Sequence, residues 1–368
     1  MWHLEPAAHT SPDIGQLLDQ LNHEAQFFSK NAPLTIARAP GRLDLMGGIA
    51  DYSGSLVLEL PLALAAVAAV QADDAPIITI RSHQASGLDS QDEVQIALTD
   101  LAPDGLPVSY QQARDLLNAD PRSRWAAYIA GVPLVLAHEC GAALRGLRIL
   151  IASDVPAGKG VSSSAAIEVA AMRAIAELLG VQLDGRQMAL LCQMVENLVV
   201  GAPCGVMDQM TAACGQADAL LALRCQPAEL EPPIAIPQAL EVWGIDSGIR
   251  HAVSGADYGS VRVGAFMGYR MIAELAGFPA TPSCSGRVAI SDPQFGGYLA
   301  NITPSRWLHE FRDRLPEQIN GAAFLERYGG TTDSVTHIDQ TRNYAVRMPT
   351  EHPIHEHHRV EAFRTLLQ

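Results

Sequence analysis

Pro156-Ala157-Gly158-Lys159-Gly160-Val161-Ser162-Ser163-Ser164-Ala165-Ala166 joins an alternating, β-branched run, Leu147 to Ala152, to an alanine-rich run with helical periodicity, Ala165 to Leu179. A glycine-rich turn feeding a helix N-terminus gathers unpaired backbone N–H groups at the positive end of a helix dipole, and such a point binds phosphate. The glycines let the backbone approach a phosphate closely, and three serines offer hydroxyls to phosphate oxygens or to a metal ion. Taken alone, a segment of this kind is more often a serine-capped helix after a turn. It is not a Walker A sequence: Lys159 is followed by Gly160, not by Ser or Thr, and the first glycine of GxxxxGK[ST] is missing. A P-loop NTPase is therefore disfavoured.

Two other segments shift the balance. One is Ala37-Arg38-Ala39-Pro40-Gly41-Arg42-Leu43-Asp44-Leu45-Met46-Gly47-Gly48-Ile49-Ala50-Asp51-Tyr52, and the other is Glu196 followed by Gly201-Ala202-Pro203-Cys204-Gly205-Val206-Met207-Asp208-Gln209-Met210. With the serine loop, they resemble the GHMP small-molecule kinases of the galactokinase branch. That branch carries an APGR(V/L)xLxGxxxDY signature, a glycine-rich SSSA loop and a PCGxMDQ motif. The spacings from Ser164 to Glu196 and from Glu196 to Asp208 also fit it. Within the branch the wording is most similar to the L-arabinokinase group, as in GRLDLMGGIADYSGSLVL and WGIDSGIRHAVSGADYGSVRVGAFMG.

The resemblance implies an α+β fold in two domains: an N-terminal ribosomal S5 domain 2-like unit and a C-terminal αβ unit. Residues 1–30 read as a polar lead-in, 31–230 as the ATP- and sugar-binding domain, and 231–368 as the C-terminal domain. It also implies ATP and Mg²⁺ as cofactors. Gly158, Lys159, Gly160, Ser162, Ser163 and Ser164 are expected around the phosphates, with Ser164 and Glu196 as metal ligands. Mg²⁺ takes few protein ligands, usually hard oxygens. Asp208 stands in a largely apolar stretch where an uncompensated carboxylate is costly. It is the candidate base or orienting carboxylate, with Arg42 as the counter-charge that keeps it ionised and stabilises a transferring phosphoryl group. Trp125 matches a tryptophan beside the adenine ring, and Tyr258 a sugar-contacting tyrosine. Arg42, Asp51, Asp208 and Tyr258 form the expected sugar-binding set.

Sugar choice has a physical direction. Galactokinases carry Gly-Glu-His-Thr-Asp-Tyr where this chain reads Gly47-Gly48-Ile49-Ala50-Asp51-Tyr52. The Asp that grips ring hydroxyls is kept as Asp51, whereas the Glu and His that address the C6 hydroxymethyl end of galactose are replaced by Gly48 and Ile49. L-Arabinopyranose has the same ring stereochemistry without that group, and unpaired polar side chains there would carry a desolvation penalty. The expected activity is phosphorylation of the anomeric hydroxyl of L-arabinose. Galactokinase activity, or a non-catalytic sugar- or nucleotide-binding role, remains open. The third glycine-rich motif of the family, GAGxGG, does not occur before Gln368, so the C-terminal domain is expected to be incomplete, activity weakened and self-association favoured.

Composition narrows the class further. A formal charge of −15 with no Lys/Arg cluster argues against nucleic acid. The most apolar run, Leu56 to Val70, is too short for a bilayer and is interrupted by Glu59 and Pro61. The first residues lack a signal-peptide layout, and six scattered cysteines have no CxxC pair, so the reading is a cytoplasmic enzyme without disulfides or structural zinc.

Along the chain, a weak helix is expected at Ile14–Phe28. Strand-like runs stand at 34–39, 56–60, 77–81, 94–98, 147–152, 219–224 and 240–246. Helical patterns occupy 125–138, 165–179, 184–199 and 259–275, and a short helix after Pro203 would carry Asp208. Pro232-Pro233 and Pro237 mark a candidate domain boundary near 227–238. Glu351-His352-Pro353-Ile354-His355-Glu356-His357-His358 reads as a solvated turn leading into a helix rather than a metal site.

Overall fold

The computed structural model describes residues 27–82, 92–248, 256–283 and 287–368. The expected helix at Ile14–Phe28 lies almost wholly outside them. Strands β1 (Thr35–Met46) and β2 (Leu56–Asp73) pair antiparallel, with Asp44 opposite Glu59. Both outrun the strand-like patterns in the sequence. β1 continues through Pro40 because the register shifts between Pro40 and Arg42, and a bulge spares the ladder the N–H that proline lacks. The alanine-rich half of β2 is weak in strand propensity, yet both of its faces are buried. Ala66, Ala68 and Val70 enter the main core, while Val67 and Ala69 pack against Phe27, Phe28 and Leu150. Burial overrides propensity here.

The sheet is completed by β3 (Ile77–Ser82), β4 (Glu93–Ala97), β5 (Gly146–Ser153), β6 (Ala219–Arg224) and β7 (Glu229–Ala235). Its order is β4-β3-β5-β2-β6-β7, with β1 on the other side of β2; β3 and β5 run parallel and the remaining pairs antiparallel. The candidate boundary near 227–238 coincides with β7, whose Pro232 and Pro233 are tolerated because β7 is an edge strand. The expected strand at Leu240–Asp246 does not form. That stretch is irregular and pairs with no strand among the described residues, and Trp243 and Ile245 are 80% and 93% exposed, so alternation alone had no sheet to join.

Helices α1 (Tyr110–Leu117), α2 (Ala127–Cys140), α3 (Ser163–Leu179), α4 (Gly185–Met194) and α5 (Met207–Cys214) lie with this sheet. An apolar stripe of α3, including Val169, Met172 and Ile175, closes the main core. α4 starts from an Asp184–Gln187 capping box. It continues as a π-helical turn, Val195–Val200, a distortion common at functional sites, and this turn carries Glu196.

The C-terminal part has its own core around α6 (Ala256–Leu275), built on Met267, Phe295, Trp307 and Phe324. Two short antiparallel pairs accompany it: β8 (Ala280–Pro282) with β9 (Val288–Ile290), and β10 (Gln318–Asn320) with β11 (Asn343–Ala345). α7 (Gly321–Tyr328) precedes the long α8 (Arg347–Leu367). The 351–358 segment is no solvated turn, because all of it lies inside α8. Ile354 sits in the second core, and Val360 packs on Leu56, Leu58, Leu220 and Ile234 of the large sheet. Pro353 and the run of polar residues masked this buried stripe in the sequence. No helix among the described residues is long and apolar enough to cross a membrane.

Candidate active site

A cavity of about 790 Å³ opens between the end of β1, the 156–164 loop, the N-terminus of α5 and the start of α6. Arg42 is its organising charge. Although buried, it donates from Nε and an Nη to the same oxygen of Asp208, at 2.9 and 2.6 Å, and from the other Nη to the carbonyl of Gly160 at 2.8 Å. One guanidinium thus ties the candidate acceptor carboxylate to the glycine-rich loop. Burial pulls its pKa down, but the carboxylates of Asp208, Glu59 and Asp44 more than reverse this, so Arg42 stays charged. Asp208 opens α5, and its side chain is 26% exposed, which leaves the carboxylate reachable from the cavity.

The loop has the local geometry its sequence foretells. Gly158 and Gly160 take φ of 71° and 72°, which only glycine adopts without strain. Ser162, φ 57°, caps α3 in the same left-handed region. Strain of this kind collects at ligand sites, and the buried hydroxyl of Ser162 has no hydrogen-bond partner among the described residues. Lys159 pairs with Asp246 at 2.8 Å, so the irregular 240–248 stretch reaches the loop.

Ser164 and Glu196 both line this cavity. Burial, together with the charge of Asp208, pushes Glu196 up to about 7. Gln209 donates to it at 2.6 Å and also reaches Glu168 on α3 at 3.3 Å. Glu168 is fully buried and is driven well above the usual carboxylate range by burial and then by the Glu196 charge. Trp125 lines this cavity and a second one of about 570 Å³, whose wall includes Ile129, Ile151, Val155 and Ile167.

At the opposite end Asp51 lies in a single 3-10 turn, Asp51–Ser53. It is buried, its Oδ1 lacks a partner among the described residues, and burial followed by the Asp208 charge raises it to about 6. Gly205 makes room for it: a Cβ there would stand 1.4 Å from Asp51 Oδ2. The Cys204–Gly205 loop is held from the C-terminal part by Arg262, which donates to the Cys204 carbonyl at 3.0 Å and forms a buried ion pair with Asp333. Tyr258 completes this side, edge-on to Tyr52. Ile49, 42% exposed with φ 61°, projects at the same end.

Several participants were missed in the sequence. Asp44 lines the cavity, and Glu59, across the strand pair, lies 3.1 Å from Arg42. Glu168 and Gln209 buttress Glu196. Two of them left a signal, because Glu59 interrupts an apolar run and Glu168 an alanine-rich one, and buried charges are rare without a partner. His352 and Glu356 of α8 also reach the Gly47–Gly48 turn: His352 Nε2 lies 2.7 Å from the Gly48 carbonyl oxygen, and Glu356 accepts from the Gly47 N–H at 3.2 Å. No local pattern pointed to them.

Known proteins resemble this chain in sequence and in fold. Residues 127–216 match the GHMP kinases N terminal domain, and residues 22–72 match the galactokinase galactose-binding signature. The chain is 44% identical over 375 residues to L-arabinokinase of Arabidopsis thaliana, covering 92% of this chain and 36% of the relative. It is 36% identical over 253 residues to galactokinase of Chloroflexus aggregans, covering 68% of this chain and 58% of the relative. It therefore spans less than two thirds of the length of either relative. The galactokinase of Lactococcus lactis complexed with galactose superposes with a TM-score of 0.64 at 15% identity, over 96% of this chain and 74% of that one, a likeness of fold. With its α+β architecture and both sequence signatures, the chain belongs to the GHMP kinase family, in the galactokinase branch.

Proposed function

We propose that the chain provides the ATP- and sugar-binding site of a sugar-1-kinase that phosphorylates the anomeric hydroxyl of L-arabinose. The observation that carries this reading is the Arg42 bridge, with Asp208 on one side and the Gly160 carbonyl of the phosphate loop on the other. Transfer requires the acceptor hydroxyl and the terminal phosphorus to meet in line. Asp208 uses one oxygen for Arg42 and keeps the other for the acceptor. The anomeric oxygen attacks phosphorus, the bond to the bridging oxygen of ATP breaks, and the hydroxyl proton passes toward Asp208. Because the transition state is loose, orientation by Asp208 and the positive charge of Arg42 matter more than early proton abstraction.

The Ser164–Glu196 pair fits Mg²⁺, since a hydroxyl and a buried carboxylate face a cavity whose remaining ligands would be phosphate oxygens and water. When bound, the ion screens the phosphates and the charge that develops between them. The unpartnered Ser162 hydroxyl suits a phosphate oxygen, and the apolar second cavity beside Trp125 suits a purine ring. Asp51, with an unpartnered oxygen, suits a ring hydroxyl. Gly48 and Ile49 favour a sugar without a hydroxymethyl group, in keeping with the 44% identity to L-arabinokinase. The galactose-binding signature favours galactose as the second reading.

The test is a coupled assay of ADP release with L-arabinose and D-galactose, and identification of the product as the 1-phosphate. L-Arabinose should be preferred by about 1–3 kcal/mol in kcat/KM. Equal or better use of galactose would return the reading to galactokinase.

A further inference from the structure

The side of Gly48 on which a side chain would stand is already taken. A Cβ at position 48 would lie 2.4 Å from Asp44 Oδ2, and Gly48 does not adopt the left-handed backbone that would demand glycine by itself. The obstacle is therefore the carboxylate of Asp44. Strand register anchors that carboxylate: Asp44 and Glu59 stand directly opposite on β1 and β2, where their side chains share a face. Glu59 is fully buried, 3.1 Å from Arg42, and burial pushes its carboxyl well above the usual range against the opposing pull of that guanidinium. Asp44 is nevertheless accessible from the cavity, on the same wall as Ile49, Asp51 and Asp208.

We propose that Asp44 is a specificity-determining residue, its carboxylate accepting a hydrogen bond from a ring hydroxyl of a pyranose that carries no exocyclic carbon. The inference rests on the sugar-kinase reading and deepens it. Residues 44 and 48 form one unit, in which the missing side chain at 48 is what allows Asp44 to stand where it does. Three carboxylates, from Asp44, Asp51 and Asp208, then face the polyol. One of them, Asp51, is buried with an oxygen that no described residue satisfies, which marks this end as built for hydroxyl donors.

A double-mutant cycle read by calorimetry tests the assignment, with L-arabinose as the probe and MgATP as the control for an intact fold. Asp44→Asn, which keeps the shape, should weaken L-arabinose binding about tenfold or more while leaving MgATP affinity within about twofold. Gly48→Ala should cost a similar factor by displacing the carboxylate. Placed on an Asp44→Ala background, it should cost nothing further. Unchanged sugar affinity in Asp44→Asn overturns the assignment alone, as does a Gly48→Ala loss that is the same with and without Asp44. A wild-type chain that binds MgATP but neither L-arabinose nor D-galactose overturns the sugar-kinase reading and takes this assignment with it.

Discussion

The proposed nucleotide end of the cavity centres on one continuous stretch, Pro156 to Ser164, whose character resides in its own backbone: two left-handed glycines, a left-handed serine and the start of α3. The proposed sugar end is assembled from distant parts. Its floor comes from a β1–β2 pair of carboxyls, its roof from the Cys204–Gly205 loop, and its rear support from α8, where His352 lies 304 residues from the Gly48 it touches. A locally encoded site is disturbed by changes within it. A site assembled at long range is also disturbed by changes in the elements that brace it. Sugar binding should therefore respond to substitutions that nucleotide binding ignores.

The largest effect is expected where the two ends meet. Asp208→Asn removes the acceptor-facing carboxylate and should lower the rate of sugar phosphorylation about 10²–10⁴-fold, with MgATP affinity nearly unchanged. Initial rates and calorimetry on one preparation would show this, and a variant keeping more than about a tenth of the rate removes Asp208 from the chemistry.

Next comes Gly160→Val, aimed at the local end alone. A β-branched residue at φ 72° is strained, though open space lies around the Cβ position itself. The loop must then shift, and MgATP affinity should fall about tenfold or more. L-Arabinose affinity without nucleotide should hold; a parallel loss of both would mean that the two ends are not separable.

Titration separates the ends in a third way. Asp51, near 6, and Glu196, near 7, both lie above the unfolded carboxylate range because of burial first and the Asp208 charge second. The folded state thus holds extra protons between about pH 4 and 7, and their stabilising contribution is lost as pH rises through that window. Thermal unfolding of the ligand-free protein should show Tm falling by a few degrees from about pH 5 to 8. Glu196→Gln should flatten the upper part of this slope and Asp51→Asn the lower part. Slopes unaltered by both variants would exclude these two groups as the source.

The smallest effect concerns the remote brace. His352→Ala or Glu356→Ala removes one hydrogen bond to the Gly47–Gly48 turn and should weaken L-arabinose binding about three- to tenfold without touching MgATP affinity. Sugar affinity that survives the double substitution would show that the turn holds its shape without α8.

Much of this molecule was legible in its sequence, for reasons that differ from element to element. The β5–loop–α3 unit could be read because turn chemistry and periodicity act over a few residues. β6 was likewise found at Ala219–Arg224. β7 was passed over because two prolines argue against a strand until one knows that it is the sheet edge. Leu240–Asp246 erred in the opposite direction, since alternation does not make a strand where no neighbour offers a ladder. The 351–358 segment looked solvated because its buried members, Pro353, Ile354 and His357, are set among exposed and half-exposed polar residues.

By itself, then, the sequence determined the family, the glycine-rich loop between strand and helix and several of the residues that line the cavity, because these depend on residue type and short spacing. Only the tertiary structure decided that Arg42 joins Asp208 to Gly160, that Gly205 is bare to admit Asp51, and that Asp44 fills the room beside Gly48. Contacts of that kind are set by strand register and by the close approach of chain segments far apart in sequence. Burying charge is costly unless a partner stands beside it, and no local pattern records which partner will be there.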